Sequence, residues 1–181
     1  MSSNLYKNAS PAYKKRLRKY YLLVLLSEGS KILAFFLFFA MIGMAKEFWI
    51  CLLFMLPLRT TGGGLHVKTY TGCFLVSFTV ISLNLFLSCL WYPGRWIKAL
   101  TLLLCMVTAF RLVPITSDKR PPATPDQVRH SKQNTVIILT ICLILMCALP
   151  GNPYINIGYW TIRINTAQLV IARGMKEVKK V

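Results

Sequence analysis

The sequence predicts an all-α polytopic membrane protein, and three observations support that prediction. The 181 residues are 55% hydrophobic and have a mean hydropathy of +0.53, which is high for a soluble domain. Several apolar runs approach the roughly 20 residues that a helix needs to cross a bilayer. The basic residues are gathered into blocks between these runs. A chain of this length, 1–181, forms one domain, and we expect about six hydrophobic helices after an amphipathic one.

The first predicted element is a basic amphipathic helix within residues 1–20. Five Lys and Arg residues between positions 14 and 19 are interleaved with apolar and aromatic residues. Such a helix lies on an anionic membrane surface, so we expect anionic lipids as partners. The segment lacks a short apolar core followed by a small-residue cleavage site, so we do not expect a cleavable signal peptide.

Six hydrophobic segments follow. Residues 21–45 form the first, although Glu28 and Lys31 interrupt it at the i,i+3 spacing of an ion pair. Residues 47–58 form the second, which is short for a full crossing. The others are residues 73–92, 96–113, 133–149 and 154–172.

Polar segments join or follow these helices. Residues 114–132 contain four prolines, which oppose regular secondary structure, so we predict a loop there. The sequence Pro-Gly-Asn-Pro at 150–153 predicts a tight turn between the last two hydrophobic segments. Residues 173–181 form a basic tail.

The distribution of basic residues predicts which segments face the cytoplasm. With six crossings and the N-terminus inside, seventeen of the 22 Lys and Arg residues fall on the cytoplasmic side and three outside. This bias follows the positive-inside rule, and it places both termini, the 114–132 loop and the connection after the second segment in the cytoplasm. A four-crossing arrangement, in which the first two segments form a hairpin that enters the bilayer incompletely, stays open.

The net charge of +17 would indicate nucleic-acid binding in a soluble protein. Here the charged blocks lie between apolar runs, so anionic lipid and membrane orientation explain them better, and we expect no nucleic acid. An acidic soluble partner is also favoured electrostatically. The six cysteines contain no CxxC pair, so neither a zinc ribbon nor a disulfide framework is indicated, and we expect no metal or organic cofactor.

One stretch, residues 59–73, differs from its apolar surroundings. It holds Arg59, three consecutive glycines, His66 and Cys73. A thiol near an imidazole provides the groups of cysteine-nucleophile catalysis, in which the histidine acts as a general base or an ion-pair partner. The other histidine, His130, lies among basic residues of a polar segment and is expected to be solvated.

No regular element brings His66 and Cys73 into contact. On a helix they share a face but lie roughly 10 Å apart along the axis, and on a strand they point to opposite faces. We therefore predict a catalytic loop over residues 59–72, which the glycines permit, with Cys73 at or near the start of the third helix. There the helix dipole favours a thiolate. The alternative is a solvated histidine, a cysteine that only packs, and an ordinary glycine turn.

The same stretch resembles the accessory gene regulator B family, bacterial membrane peptidases that process autoinducer propeptides for quorum sensing. That family has an arginine, then a histidine seven residues on with a glycine two before it, and a cysteine after seven more. Those positions are Arg59, Gly64, His66 and Cys73 here. The segment 113–121, in which Pro114 is followed by polar and basic residues, is similar to the family's cytoplasmic loop, which also begins with a proline. Length, basic N-terminus and segment count agree along nearly the whole chain.

The resemblance implies a thiol peptidase in the bacterial cell membrane. Cys73 attacks a peptide carbonyl near the C-terminus of the propeptide, while His66 accepts the thiol proton and later protonates the leaving amine. A substrate cysteine or serine then attacks the thioester and closes a thiolactone or lactone ring. The family's substrates have an amphipathic leader and an acidic C-terminal tail, which suits a charge of +17. The family is also compatible with a homodimer.

Four further residues are candidates for substrate binding or for stabilising the oxyanion. Three are cations, Arg59, Lys119 and Arg120, which suit an acidic tail or a developing negative charge. The charges of Lys119 and Arg120 are explained equally well if they only set the orientation of the protein in the membrane. Arg59 is more strongly indicated as functional, because it belongs to the motif. Gly64 is the fourth candidate, from its place in the motif.

Two carboxylates are candidates for orienting His66. Glu28 lies within the first hydrophobic segment, where charged residues are often functional, but a structural pair with Lys31 is the stronger interpretation. Asp118 is the second candidate, and capping a helix or pairing with Arg120 is the alternative for it.

Two other functions compete with the peptidase hypothesis. The first is a non-catalytic peptide transporter or membrane scaffold. In that case the charged residues within the membrane would line a pathway, and His66 and Cys73 would have no catalytic role. A membrane metalloprotease is disfavoured, because the chain has one histidine in this loop and no HExxH motif.

Overall fold

The structure, a computed structural model, describes residues 11–63, 69–114 and 125–178. These ranges contain six helices and no strand, which confirms the all-α prediction. Each predicted hydrophobic segment falls largely within one helix. The helices are α1 (Pro11–Met41), α2 (Ala45–Gly62), α3 (Tyr70–Leu90), α4 (Arg95–Leu112), α5 (Pro125–Ala148) and α6 (Pro153–Val178).

At each end of the chain, one helix joins an apolar segment to a basic one. Residues 11–20 of the N-terminal basic segment are helical, as predicted, but they belong to α1, which continues into the first hydrophobic segment, and are not a helix of their own. Residues 1–10 lie outside the described residues. At the other end, α6 reaches Val178 and takes up most of the predicted tail at 173–181. In both places the helix simply continues from the apolar segment into the basic one.

The helices extend into both predicted loops, 59–72 and 114–132. α2 passes Pro57 and reaches Gly62, and in its last turns the hydroxyls of Thr60 and Thr61 both donate to the carbonyl of Pro57 at 2.9 Å. The predicted loop at 59–72 therefore begins after α2 and ends at α3. Similarly, α5 begins at Pro125 within the predicted 114–132 loop, since the first turn of a helix needs no backbone donor there.

The chain divides into two compact units, Met1–Gly43 and Met44–Val181. The first unit is built on α1. On that helix the ammonium of Lys31 lies 2.6 Å from a carboxylate oxygen of Glu28, and the Lys31 side chain is buried whereas that of Glu28 is exposed.

In the second unit α6 is the central helix, and it packs against α2, α3, α4 and α5. Residues 155–162 of α6 are all buried, which fits a helix surrounded by others. The core of this unit includes Leu58, Leu102, Ala109, Leu139, Met146, Tyr159, Ile162 and Leu169.

The outer surface of the second unit is apolar. Large hydrophobic side chains point outward from its helices, among them Leu53, Phe86, Trp96, Leu104 and Ile144. A soluble monomer rarely exposes so much apolar surface, whereas lipid tails cover it without cost. Within the described ranges, α3 and α5 are long and apolar enough to cross a membrane. These features indicate a membrane protein.

Polar side chains fix the end of the bundle at which α3 finishes and α4 begins. Lys98 is one of the three basic residues that the charge count places on the external side of the membrane. Its side chain is buried, and its ammonium donates to the carbonyl of Pro150 at 2.9 Å. The amide of Asn156 donates to the carbonyls of Ser88 at 2.8 Å and Trp91 at 3.1 Å. These bonds satisfy backbone acceptors at helix ends and hold α4 and α6 in place.

Gly158 sets the distance between α6 and α2. A Cβ atom at this position would lie 2.6 Å from Cζ of Phe54, well inside van der Waals contact. We expect Gly158→Ala to destabilise the protein by about 1–3 kcal/mol, because the ring must leave its position. Phe54→Leu should restore most of the loss in the double variant. Thermal unfolding in detergent, followed by tryptophan fluorescence, measures both effects.

Gly174 on the same helix provides the matched control. A Cβ there meets nothing within 4 Å, and alanine favours a helix over glycine. Equal melting temperatures for Gly158→Ala and Gly174→Ala would contradict close packing of α6 on α2.

Candidate active site

Cys73 lies in the first turn of α3. Thr69 caps this helix: its hydroxyl accepts a hydrogen bond from the amide of Gly72 at 3.2 Å, and its carbonyl accepts from the amide of Cys73 at 3.0 Å. The Cys73 side chain is half-buried. Cys73 thus lies at the N-terminal end of α3, where the sequence predicted it.

Arg59 approaches the same face of α3 from the last turn of α2. Its Nη1 donates to Oγ of Ser77 at 3.5 Å, and Ser77 is buried. Ser77 follows Cys73 by four residues, so the two side chains share a helix face about 6 Å apart along the axis. Arg59 therefore contacts α3 one turn further along the helix than Cys73.

The end of α2 is anchored to α5 by hydroxyl groups. The hydroxyl of Thr135 donates to that of Thr61 at 3.1 Å, and the hydroxyl of Ser131 donates to the carbonyl of Thr61. Beyond this anchor Gly63 adopts φ +80°, a left-handed conformation that favours glycine, and its amide donates to the carbonyl of Arg59 at 3.2 Å. The backbone is thus fixed where the chain leaves α2 towards His66.

The remaining predicted site residues divide into two groups. Glu28 forms its ion pair with Lys31 on α1. The others lie outside the described residues: Gly64, His66, Asp118, Lys119 and Arg120. Among the described candidates, the structure brings Arg59 and Cys73 to one face of α3.

Sequence reasoning missed the residues that hold this arrangement. Ser77 is the partner of Arg59, and its signal was a hydroxyl four residues after Cys73, on the same helix face. Ser131 and Thr135 anchor the end of α2, and their signal was the i,i+4 spacing of two hydroxyls at the polar start of α5.

The described part of the site contains two groups that cysteine-nucleophile catalysis can use, a thiol in the first turn of α3 and an arginine bonded to the same helix. His66, the base that the sequence predicts, is one of the five residues between Gly63 and Thr69, which lie outside the described residues.

One protein family matches most of the chain. The family described as accessory gene regulator B matches residues 1–169 of the chain. Comparisons with curated proteins and with solved structures gave no match.

Proposed function

Because the chain belongs to the accessory gene regulator B family, which takes part in processing autoinducer peptides, we propose that it is a membrane-embedded cysteine endopeptidase acting on a quorum-sensing propeptide. Cys73 is the nucleophile and His66 the general base. The observation that carries this proposal is the placement of Cys73 in the capped first turn of α3, with Arg59 bonded to Ser77 one turn away.

The reaction is an acyl transfer. Cys73 attacks a carbonyl near the propeptide C-terminus, His66 takes the thiol proton, and Arg59 stabilises the charge that develops on the carbonyl oxygen. The peptide C–N bond then breaks, His66 protonates the leaving amine, and the N-terminal part of the propeptide stays on Cys73 as a thioester. A cysteine or serine of the substrate attacks that thioester, closes the ring and returns Cys73 as a thiol.

Exclusion of water decides between ring closure and hydrolysis. Thioester exchange with a substrate thiol is nearly thermoneutral, so cyclisation competes well when water is scarce. The apolar outer surface of the second unit supports a site at the membrane boundary, where lipid limits the access of water.

The charge distribution supports the proposed orientation and partners. We place both termini and the dyad on the cytoplasmic side of a multi-pass protein in the bacterial cell membrane. Here the net charge of +17 attracts anionic lipid headgroups and the acidic tail of the propeptide. Lys119 and Arg120 are further candidates for binding that tail.

Co-expression with a propeptide tests the proposal. The substrate is the product of a neighbouring short reading frame that encodes an amphipathic start, one central cysteine or serine and an acidic end. We expect membranes that contain the chain to shorten this propeptide from its C-terminus, as measured by mass spectrometry, and membranes without the chain to leave it intact. Translocation of an intact propeptide, with no shortened product, would instead support the transporter hypothesis.

Replacement of Arg59 tests its role in this reaction. We expect Arg59→Ala to slow cleavage by about 10²-fold, in the range for loss of one group that stabilises an oxyanion. Arg59→Lys should recover part of the rate, because it keeps the charge but loses the planar fork. The measurement is the initial rate of cleavage in detergent-solubilised membranes.

Arg111 provides the matched control for Arg59. It also lies in the last turn of its helix, α4, and its side chain is exposed. Arg111→Ala should leave the rate within about twofold, since a surface charge contributes little on its own. Similar losses in the two alanine variants would mean that Arg59 acts only through net charge.

A further inference from the structure

A small cavity lies between the end of α2 and helices α4, α5 and α6. It has room for about one water-sized group. Apolar side chains form most of the wall, including Leu58, Leu139 and Leu169, while Gly62 and Gly63 contribute no side chain. The same last turn of α2 directs Arg59 towards Ser77, so the cavity and the proposed active site lie at one end of the bundle.

Asn165 is the polar residue that distinguishes this cavity. Its side chain lines the cavity, is 7% exposed, and has an Nδ2 atom with no hydrogen-bond partner among the described residues. A buried donor without an acceptor is costly, so native proteins seldom keep one without a use. The amide therefore indicates a missing acceptor.

The other polar groups of the cavity are already engaged. The hydroxyl of Thr166 donates to the carbonyl of Ile162 at 2.9 Å. The hydroxyl of Thr135 uses its proton on Thr61 or on the carbonyl of Ser131, at 3.1 and 2.9 Å. Asn165 thus supplies the donor that this cavity offers to a bound group.

On the basis of the proposed function, we propose that Asn165 is a substrate-positioning residue whose Nδ2 donates a hydrogen bond to a backbone carbonyl oxygen of the propeptide. The size of the cavity excludes a side chain but admits one oxygen atom. Gly63 lines the cavity, is half-buried and has no side chain that would keep a peptide backbone away. The apolar surroundings favour a neutral acceptor and strengthen the bond.

The experiment measures how the rate of Cys73 acylation depends on propeptide concentration. It uses full-length protein in detergent and purified propeptide of the kind described above, added at known concentrations. Asn165→Leu has similar size and no donor, and we expect it to raise the half-saturating propeptide concentration about fivefold to tenfold, as for loss of one hydrogen bond. The maximal acylation rate should stay within about twofold. Asn165→Ser, which restores a donor on a shorter side chain, should recover part of the affinity.

Asn84, another buried asparagine, is the matched control for Asn165. It is fully buried on α3, lacks a partner for Oδ1, and lies about 16 Å along the helix from Cys73. Asn84→Leu should leave half-saturation unchanged, and melting temperatures of all variants separate misfolding from weaker binding.

The outcomes separate this inference from the proposed function. Unchanged half-saturation in Asn165→Leu, with normal acylation of the wild type, overturns the role of Asn165 and leaves a structural water as the occupant of the cavity. Equal weakening in Asn84→Leu also overturns it. Failure of the wild type to acylate contradicts the proposed function itself.

Discussion

Cys73→Ala is expected to abolish cleavage of the propeptide. Removal of the nucleophile of a covalent peptidase reduces turnover to background, a loss of about 10⁴-fold or more, because the remaining groups have no thioester pathway to stabilise. The fold should persist, since Cys73 is only half-buried in the first turn of α3 and alanine is a good helix former. Mass spectrometry of the propeptide after co-expression measures the loss.

Cys89 gives this prediction a matched control. It is an unpaired cysteine on the same helix, exposed rather than half-buried, near the opposite end of α3. Cys89→Ala should cleave at the wild-type rate. Full activity of Cys73→Ala, or equal losses in both variants, would rule out Cys73 as the nucleophile.

His66→Ala is expected to reduce cleavage by about 10²- to 10⁴-fold, the contribution of a positioned general base and acid. Without the imidazole, the thiol proton has no acceptor and the leaving amine has no donor. Alkylation of Cys73 by iodoacetamide at pH 7 should slow in the same variant, because the thiolate loses its partner. Cleavage rates and alkylation rates together measure the two parts of this role.

The second histidine tests whether the effect is specific. His130 is exposed on α5, and His130→Ala should change neither rate. If His66→Ala cleaves normally, the dyad hypothesis is wrong even if Cys73 is required, and another base has to be sought.

The hydrophobic pattern predicted the helices because burial in a bilayer depends on local composition. Runs such as 73–92 and 133–149 are apolar enough for a helix to be predicted from composition alone, and α3 and α5 contain all but the last one or two residues of these runs. The ends were less predictable because they depend on individual hydrogen bonds. α2 continues past Pro57 to Gly62, where threonine hydroxyls bond to the carbonyl of Pro57, and α5 begins at Pro125 because a first helical turn tolerates proline.

The site was predictable where one segment determines it and unpredictable where segments meet. The capped first turn that holds Cys73 follows from local sequence, since Thr69 precedes an apolar run. The bond from Arg59 to Ser77 depends on how α2 packs against α3, and the place of Asn165 depends on α6 lying between four helices. Charge counting placed Lys98 on the external side of the membrane but could not show its buried bond to the carbonyl of Pro150, which depends on how the chain folds back after α5.

Trapping of the acyl-enzyme tests directly whether Cys73 forms a thioester with the propeptide. Purified protein is mixed with propeptide, quenched in acid and analysed by intact mass and by peptide mapping. We expect the protein to gain the mass of the propeptide without its acidic tail. The added group should be attached to Cys73 through a bond that hydroxylamine cleaves. Cleavage of the propeptide without any adduct on Cys73, or the same adduct in Cys73→Ala, would contradict this expectation.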